Sequence, residues 1–132
     1  MTLQSAANKS ISLLMLLGLV RAVAAMETIV IRSCYDGDTC TAISGERIRL
    51  ACIDTPELEG NNAKPVPAMA AKNHLIGLLI NQRVSIRRIT TDRYGRTVGE
   101  LFVDGMNVQQ TMVANGHAKI LWTYANQCSW TQ

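Results

Sequence analysis

Short runs in which apolar and polar residues alternate predict that much of this chain forms β-strands. The Ser44-Gly45 pair separates the second run from the third and predicts a tight hairpin between them. The five predicted strands cover residues 28–31, 39–43, 47–53, 84–89 and 97–103.

The third predicted strand carries arginines on one face. Period-two alternation in residues 47–53 places Arg47 and Arg49 on that face and the apolar residues on the other. Asp54 continues the phase of the apolar face, so a regular strand would bury its carboxylate. Because Pro56 cannot donate to a sheet ladder and favours extended or turn geometry before it, we expect Asp54 to lie beyond the strand end or at a bulge.

Two segments have helical signals. Pro67 suits the first turn of a helix that runs to residue 79. Asn107 and Gln110 give an N-cap and a capping-box-like start to a second helix, which Gly116 ends. Five short strands with helices inserted among them favour an α+β fold, a small β-barrel of the OB type with helices packed on it.

The first 25 residues differ from the rest of the chain. Residues 11–20 are nearly all apolar, follow Lys9, and lead into Ala22-Val23-Ala24-Ala25. This is the layout of a secretory signal peptide, with cleavage expected after Ala24 or Ala25. The alternative is an uncleaved membrane anchor, but a span needs about 20 apolar residues and Arg21 interrupts this run at roughly half that length.

The predicted organisation is therefore a signal peptide over residues 1–25 and one domain over residues 26–132, secreted or periplasmic. Without Lys9 and Arg21 the domain has eleven basic and ten acidic residues, so net charge does not indicate a nucleic-acid-binding protein. The basic residues are nevertheless clustered, and the alternative for several of them is a solvated strand face. The clustered arginines are Arg83, Arg87, Arg88, Arg93 and Arg96.

The chain has four cysteines, namely Cys34, Cys40, Cys52 and Cys128. In an exported domain of this size they are compatible with two disulfides, and three pairings are possible. The alternative is that Cys40 and Cys52 are buried free thiols in strands. No Cys-x-x-Cys spacing indicates a zinc site.

Two acidic motifs carry the candidate chemistry. Asp36-Gly37-Asp38-Thr39 and Asp54-Thr55-Pro56-Glu57 flank the predicted strand that contributes Arg47 and Arg49. Carboxylates hold divalent metals and activate water, and guanidinium groups stabilise a phosphate anion. The combination indicates hydrolysis of phosphodiesters.

Together with Asp92-Arg93-Tyr94-Gly95-Arg96, these motifs resemble the staphylococcal (micrococcal, thermonuclease) nuclease family in order and spacing over residues 29–124. The resemblance implies an OB-fold barrel with helices and calcium-dependent cleavage of DNA and RNA with little sequence preference. It implies no protein partner, so we expect a monomer, in contact with a membrane only if the leader is uncleaved.

The resemblance also implies a role for each matched residue. The implied calcium ligands are Asp38, Asp54 and the backbone carbonyl of Thr55. The implied catalytic residues are Arg49 and Arg96, which clamp the phosphate, and Glu57, which acts on the attacking water. The aromatic residues implied near the substrate are Tyr94, Trp122 and Tyr124, for which a turn or ordinary packing is the alternative.

One departure concerns the C-terminal end. Family members usually continue into a further helix, whereas this chain ends at Gln132, so we expect the C-terminal helix to be missing or truncated. A disulfide through Cys128 would tie down such an end. Two alternative functions are a catalytically inactive nucleic-acid-binding OB module and an unstable truncated remnant of the family.

Overall fold

The fold is seen in a computed structural model that describes residues 26–132. The predicted leader, residues 1–25, lies outside the described residues. Within residues 26–132, no helix is both long enough and apolar enough to cross a membrane.

A mixed sheet and two helices make up most of the described chain. The strands are β1 (Glu27–Ile29), β2 (Ile31–Cys34), β3 (Thr39–Ala42), β4 (Arg47–Leu50), β5 (Ile53–Asp54), β6 (Val84–Thr91), β7 (Thr97–Val103), β8 (Met106–Asn107) and β9 (Lys119–Ile120). The α-helices are α1 (Pro65–Leu79) and α2 (Val108–Ala114), and 3₁₀-helices cover Trp122–Gln127 and Ser129–Thr131.

The main sheet has the order β1-β6-β7-β4-β3-β2, with β8 paired to β7. Strands β4 and β7 pair in parallel, and the other pairs of this sheet in residues 26–132 are antiparallel. Strands β5 and β9 form a separate antiparallel pair. The sheet forms a half-barrel with helices packed on it, so the predicted α+β fold of the OB type is confirmed.

The core lies between the inner face of the sheet and the two helices. Alternation in β4 buries Ile48 and Leu50 and leaves Arg47 exposed, as the sequence pattern predicts. Burial of such apolar side chains is the main stabilising term for a domain of this size. The fully buried large residues include Ile48, Leu50, Ile53, Leu75, Leu79, Val84, Leu101, Val108 and Met112.

Both predicted helices are present. Helix α1 begins two residues earlier than expected, with Pro65 at its first position and Pro67 still in the first turn. The N–H groups of this turn have no intrahelical acceptor, so neither proline removes a hydrogen bond. In α2, the side chain of Asn107 accepts a hydrogen bond from the backbone N–H of Gln110, and the predicted N-cap is confirmed.

The third predicted strand is shorter than expected, which is a correction to the range 47–53. Strand β4 ends at Leu50, and Cys52 has a backbone φ of 66°, in the left-handed region that does not continue a strand. The chain changes direction there and pairs β5 with β9. Asp54 therefore leaves the main sheet, as expected, and its side chain is 57% exposed.

The structure contains two disulfides, which correspond to one of the three possible pairings of the four cysteines. Cys34–Cys40 joins the adjacent ends of β2 and β3, and Cys52–Cys128 joins the break after β4 to the C-terminal segment. All four cysteines are buried, so the free-thiol alternative for Cys40 and Cys52 is wrong. The bond to Cys128 ties the C-terminal 3₁₀-helices to the barrel.

The two disulfides are expected to stabilise the protein unequally, because a cross-link restricts the unfolded chain more when it closes a longer loop. The sequence separations are 76 residues for Cys52–Cys128 and 6 for Cys34–Cys40. Loop entropy assigns about 4 kcal/mol to the first and about 2 kcal/mol to the second. We expect Cys52→Ser/Cys128→Ser to lower the free energy of unfolding in urea more than Cys34→Ser/Cys40→Ser does.

Equal losses in the two double variants would contradict this ranking. Mass spectrometry of the oxidised, alkylated protein provides the direct control. Detection of four free thiols would contradict both disulfides.

Candidate active site

The site is built around Asp38, a carboxylate that the fold buries in the loop between β2 and β3. Its Oδ2 accepts hydrogen bonds from the backbone N–H of Thr55 at 3.1 Å and from the Thr55 hydroxyl at 3.0 Å. Its Oδ1 accepts one from the Thr39 hydroxyl at 3.2 Å. A buried charge is tolerated only with such partners, so these contacts fix the position and direction of the carboxylate.

The turn that carries Asp38 is held from two sides. The Oδ1 of Asp36 accepts a hydrogen bond from the Asp38 backbone N–H at 3.0 Å, which closes an Asx-turn. A Cβ on Gly37 would lie 2.8 Å from the Cβ of Ala71 in α1 and 3.0 Å from that of Thr55. Only glycine allows α1 and the Thr55 segment to approach the turn this closely.

Arg49 lies between the two predicted metal-binding carboxylates. Its Nη2 is 3.4 Å from Asp38 Oδ2 and 3.9 Å from Asp54 Oδ1. Its Nη1 donates to the carbonyl of Leu50 at 2.7 Å, which holds the guanidinium at the end of β4. The structure thus brings Asp38, Arg49 and Asp54 together, although they belong to three different segments.

Thr55 and Glu57 follow Asp54 and differ in exposure. Thr55 is buried against Asp38, whereas Glu57 is exposed. The backbone carbonyl of Glu57 accepts a hydrogen bond from the N–H of Lys64 at 2.9 Å, which ties this segment to the start of α1. Asp54 and Glu57 both line a cleft of about 460 Å³.

Arg96 is oriented by Asp92 across the turn between β6 and β7. Its Nε donates to Asp92 Oδ2 at 2.7 Å, and its backbone N–H donates to Asp92 Oδ1 at 3.0 Å. Burial opposes ionisation of Asp92, but the hydrogen bonds from Arg96 and Tyr94 hold the pKa of its carboxyl below the ordinary value. The terminal nitrogens of Arg96 donate to no group in residues 26–132, so they are available to a ligand.

A second cleft has a volume of about 650 Å³. It is lined by Arg49 and Arg96, the two arginines predicted to bind phosphate, and by Tyr94 and Tyr124. The two tyrosines are 57% and 53% exposed, which does not fit a core-packing role. The guanidinium of Arg96 lies 5.3 Å from the centre of the Tyr94 ring. Trp122 is 71% exposed and does not line this cleft, so the structure separates it from the other predicted aromatics.

Several supporting residues had no role assigned from the sequence. Asp92 orients Arg96, the Thr39 hydroxyl donates to Asp38, and Arg47 donates to the carbonyl of Tyr94. Asp92 and Thr39 lie inside the two quoted motifs, at residues 92–96 and 36–39, so their position in the sequence could have indicated a role at the site. Nothing local indicates the Arg47 contact, because its acceptor is 47 residues away.

Two clustered arginines are structural. Arg87 pairs with the buried Glu100 at 2.6 Å. Arg88 pairs with Glu46 at 2.8 Å and also with Glu27. The Arg87 pair joins β6 to β7, and the Arg88 pairs join β6 to β1 and to the turn before β4, so Arg87 and Arg88 are not free cations for a ligand.

The oxygen atoms at the site suit a hard cation. Residues 26–132 contain no group of three or more His, Cys, Asp or Glu side chains placed to bind a metal. Asp38 and Asp54 nevertheless lie on either side of one guanidinium, and Thr55, whose backbone carbonyl is the third predicted ligand, hydrogen-bonds to Asp38. Calcium takes six to eight oxygen ligands, including backbone carbonyls and water, so this donor set fits it.

The fold and the site define a class, an OB-type α+β domain with carboxylates and arginines gathered where β4 ends. Residues 47–131 match the family model described as staphylococcal nuclease homologue. The chain therefore belongs to the staphylococcal nuclease family, and the predicted resemblance is confirmed.

Individual relatives agree with this assignment. The chain is 36% identical over 93 residues to an uncharacterized endonuclease of Escherichia coli, covering 67% of this chain and 56% of that protein. It is 31% identical over 96 residues to endonuclease YncB of Bacillus subtilis, covering 67% of this chain and 46% of that protein. A probable staphylococcal-like nuclease of Oryza sativa subsp. japonica, CAN3, is 35% identical over 78 residues, covering 59% of this chain and 19% of that protein. The chain thus spans about half of these bacterial relatives and a fifth of the plant one.

Asp36 is expected to make stability depend on pH when no divalent metal is present. Burial, together with the neighbouring charge of Asp38, raises the pKa of Asp36 from 3.8 to about 6. The folded state therefore binds this proton more tightly than the unfolded state does. The resulting stabilisation is fully present below pH 3.8 and is lost as the pH rises through about 6.

We expect Asp36→Asn, which keeps an oxygen acceptor for the Asp38 N–H, to be more stable than the unaltered protein at pH 7 in chelator. The difference should shrink towards pH 4. Urea denaturation across this range measures it, and a difference that does not change with pH would contradict the assignment.

Proposed function

We propose that this protein is an exported, calcium-dependent nuclease that hydrolyses phosphodiester bonds of DNA and RNA with little sequence preference. The observation that carries the proposal is the convergence of Arg49 with two carboxylates, at 3.4 Å from Asp38 and 3.9 Å from Asp54. A cation that contacts substrate phosphate, adjacent to oxygen ligands for a metal, is what this reaction requires. The endonuclease names of the bacterial relatives agree with it.

In the proposed site, Asp38, Asp54 and the carbonyl of Thr55 would hold calcium. Bound calcium would supply positive charge that neutralises a phosphate oxygen and polarises the phosphorus centre. Aspartate suits this role because its short side chain is easily held in one position. The hydrogen bonds from Thr55 already hold the Asp38 side chain before any ligand binds.

Arg49 and Arg96 bind and orient the phosphate. A planar guanidinium can donate to two phosphate oxygens and keeps its charge at any pH at which the protein is folded. Both side chains are oriented in advance, Arg49 by the Leu50 carbonyl and Arg96 by Asp92. This preorganisation lowers the cost of ordering them as negative charge builds up on the phosphate.

Glu57 accepts a proton from the attacking water. Its side chain is longer than that of Asp54 and is exposed in the cleft that Asp54 also lines. A base must come within hydrogen-bond reach of the water whose proton it takes, and an exposed carboxylate on a long side chain can do so.

Two further features support the proposed substrate range and compartment. Exposed Tyr124 in the larger cleft offers a flat face on which any base can stack, which gives affinity without sequence selection. Tyr94, in the same cleft, already has the guanidinium groups of Arg93 and Arg96 over its ring. Two disulfides in a small domain are typical of an oxidising compartment outside the cytoplasm.

The role of Glu57 is tested by Glu57→Gln, with Glu59→Gln as the matched control in the same exposed loop. Loss of a general base typically lowers the rate by about a hundredfold or more. We expect that loss for Glu57→Gln alone, measured on plasmid DNA and on RNA in calcium. The unaltered protein should be inactive in chelator.

Three results would count against this proposal. A Glu57→Gln variant as fast as the unaltered protein would remove the proposed base. Activity that persists in chelator would remove the metal. Retained plasmid binding in calcium without any cleavage would favour the alternative of an inactive nucleic-acid-binding module.

The phosphate contact is tested by Arg96→Lys. Lysine keeps the charge but loses the planar fork and the Nε–H that donates to Asp92. We expect kcat to fall by about a hundredfold. Arg83→Lys is the control, because Arg83 is exposed and lines neither cleft. Equal kcat values for the two variants would contradict the role of Arg96.

A further inference from the structure

The residues proposed for catalysis and metal binding line two clefts, and the proposed function uses only one of the clefts fully. The larger cleft holds the arginines and the tyrosines, whereas Asp54 and Glu57 line the smaller one, of about 460 Å³. The ion-pair contact between Arg49 and Asp54, at 3.9 Å, connects the two. A phosphodiester at this junction has a nucleoside on each side, so the strand must continue in both directions.

Two lysines line the smaller cleft, and each is next to a catalytic carboxylate. The backbone N–H of Lys64 donates to the carbonyl of Glu57 at 2.9 Å. Lys119 in β9 is the direct antiparallel partner of Asp54 in β5. The structure thus places one ammonium-bearing residue beside each of the two carboxylates that line this cleft.

Both lysines are free to bind an anion. Each is exposed, and neither forms an ion pair with any acid in residues 26–132. The cleft also presents the Asn62 side chain and His117, whose ring stacks on that of His74 with centroids 4.5 Å apart. Apart from Asp54 and Glu57, the groove offers cations and hydrogen-bonding groups and is lined by no tyrosine of residues 26–132, which suits a sugar-phosphate backbone better than a stacked base.

We infer that the cleft between Lys64 and Lys119 is a second phosphate-binding subsite, which holds the nucleic-acid strand on the far side of the scissile bond from the tyrosines. This subsite rests on the proposed nuclease function, since it receives the same strand. Its ligand is the next phosphate of the substrate. The two lysines act by binding that phosphate and take no part in the bond-breaking step.

Equilibrium binding of a fluorescent dodecathymidylate to the full chain in chelator tests the subsite without depending on catalysis. Each phosphate contact to a single strand contributes about 0.7 to the slope of log affinity against log salt. Because both lysines bind one phosphate, we expect Lys64→Gln/Lys119→Gln to reduce the slope by about 0.7 and the affinity by roughly fivefold at 0.1 M salt. Lys72→Gln, on α1 but lining neither cleft, should change neither quantity. Lys64→Arg/Lys119→Arg should restore both.

Cleavage then places the subsite relative to the scissile bond. A dinucleoside monophosphate has only the scissile phosphate, so its kcat/KM in calcium should be the same for the Gln/Gln variant and the unaltered protein. For the dodecamer, kcat/KM should fall by roughly fivefold, in line with the loss of one bound phosphate.

An unchanged salt slope in the Gln/Gln variant, or equal losses on the short and long substrates, would overturn the inference. An unaltered protein that cleaves neither substrate would instead contradict the proposed nuclease function. In that case the salt slope still decides whether the cleft binds phosphate.

Discussion

Asp38 is a carboxylate buried at the edge of the barrel, and the hydrogen bonds that make its burial possible also assemble the site. Two of them come from Thr55, at 3.1 Å and 3.0 Å, so the β2–β3 turn and the segment after β5 are joined through one charged group. An unpartnered buried carboxylate would cost several kcal/mol, which no small domain tolerates easily. The position of Thr55 therefore determines where its neighbours Asp54 and Glu57 lie.

The chain reaches Thr55 only because β4 stops at Leu50. The left-handed conformation of Cys52, with φ at 66°, turns the backbone out of the main sheet and sends Ile53 and Asp54 to pair with β9. The disulfide to Cys128 holds this break against the C-terminal segment, and the carbonyl of Cys52 accepts a hydrogen bond from Leu121 at 2.8 Å. The same feature thus exposes the Asp54 carboxylate and positions the segment that carries Tyr124.

Much of this could be predicted from the sequence, because it depends on local patterns. Alternation in residues 47–50 correctly separates Arg47 from Ile48, and the capping signal at Asn107 correctly locates α2. The phase of the strand also shows that Asp54 has to leave the sheet. The acidic and arginine motifs predict which side chains share one site.

What the sequence could not predict depends on long-range contacts. Cys52 adopts positive φ in the context of a bond to a residue 76 positions away, so alternation alone extends β4 too far. Four cysteines do not determine their own pairing. The cleft between Lys64 and Lys119 exists only after α1 and β9 pack next to the segment that carries Asp54 and Glu57. Charge clustering was misleading for Arg87 and Arg88, because their glutamate partners are distant in sequence.

We propose that Asp38, Asp54 and Thr55 form a single calcium site on this frame, and calorimetric titration of calcium into the protein measures that binding. One calcium ion should bind per chain, and Asp54→Asn, which changes an exposed side chain without disturbing the buried contacts of Asp38, should abolish or greatly weaken that binding. Calcium binding that is unchanged in Asp54→Asn, or absent from the unaltered protein, would contradict this calcium site.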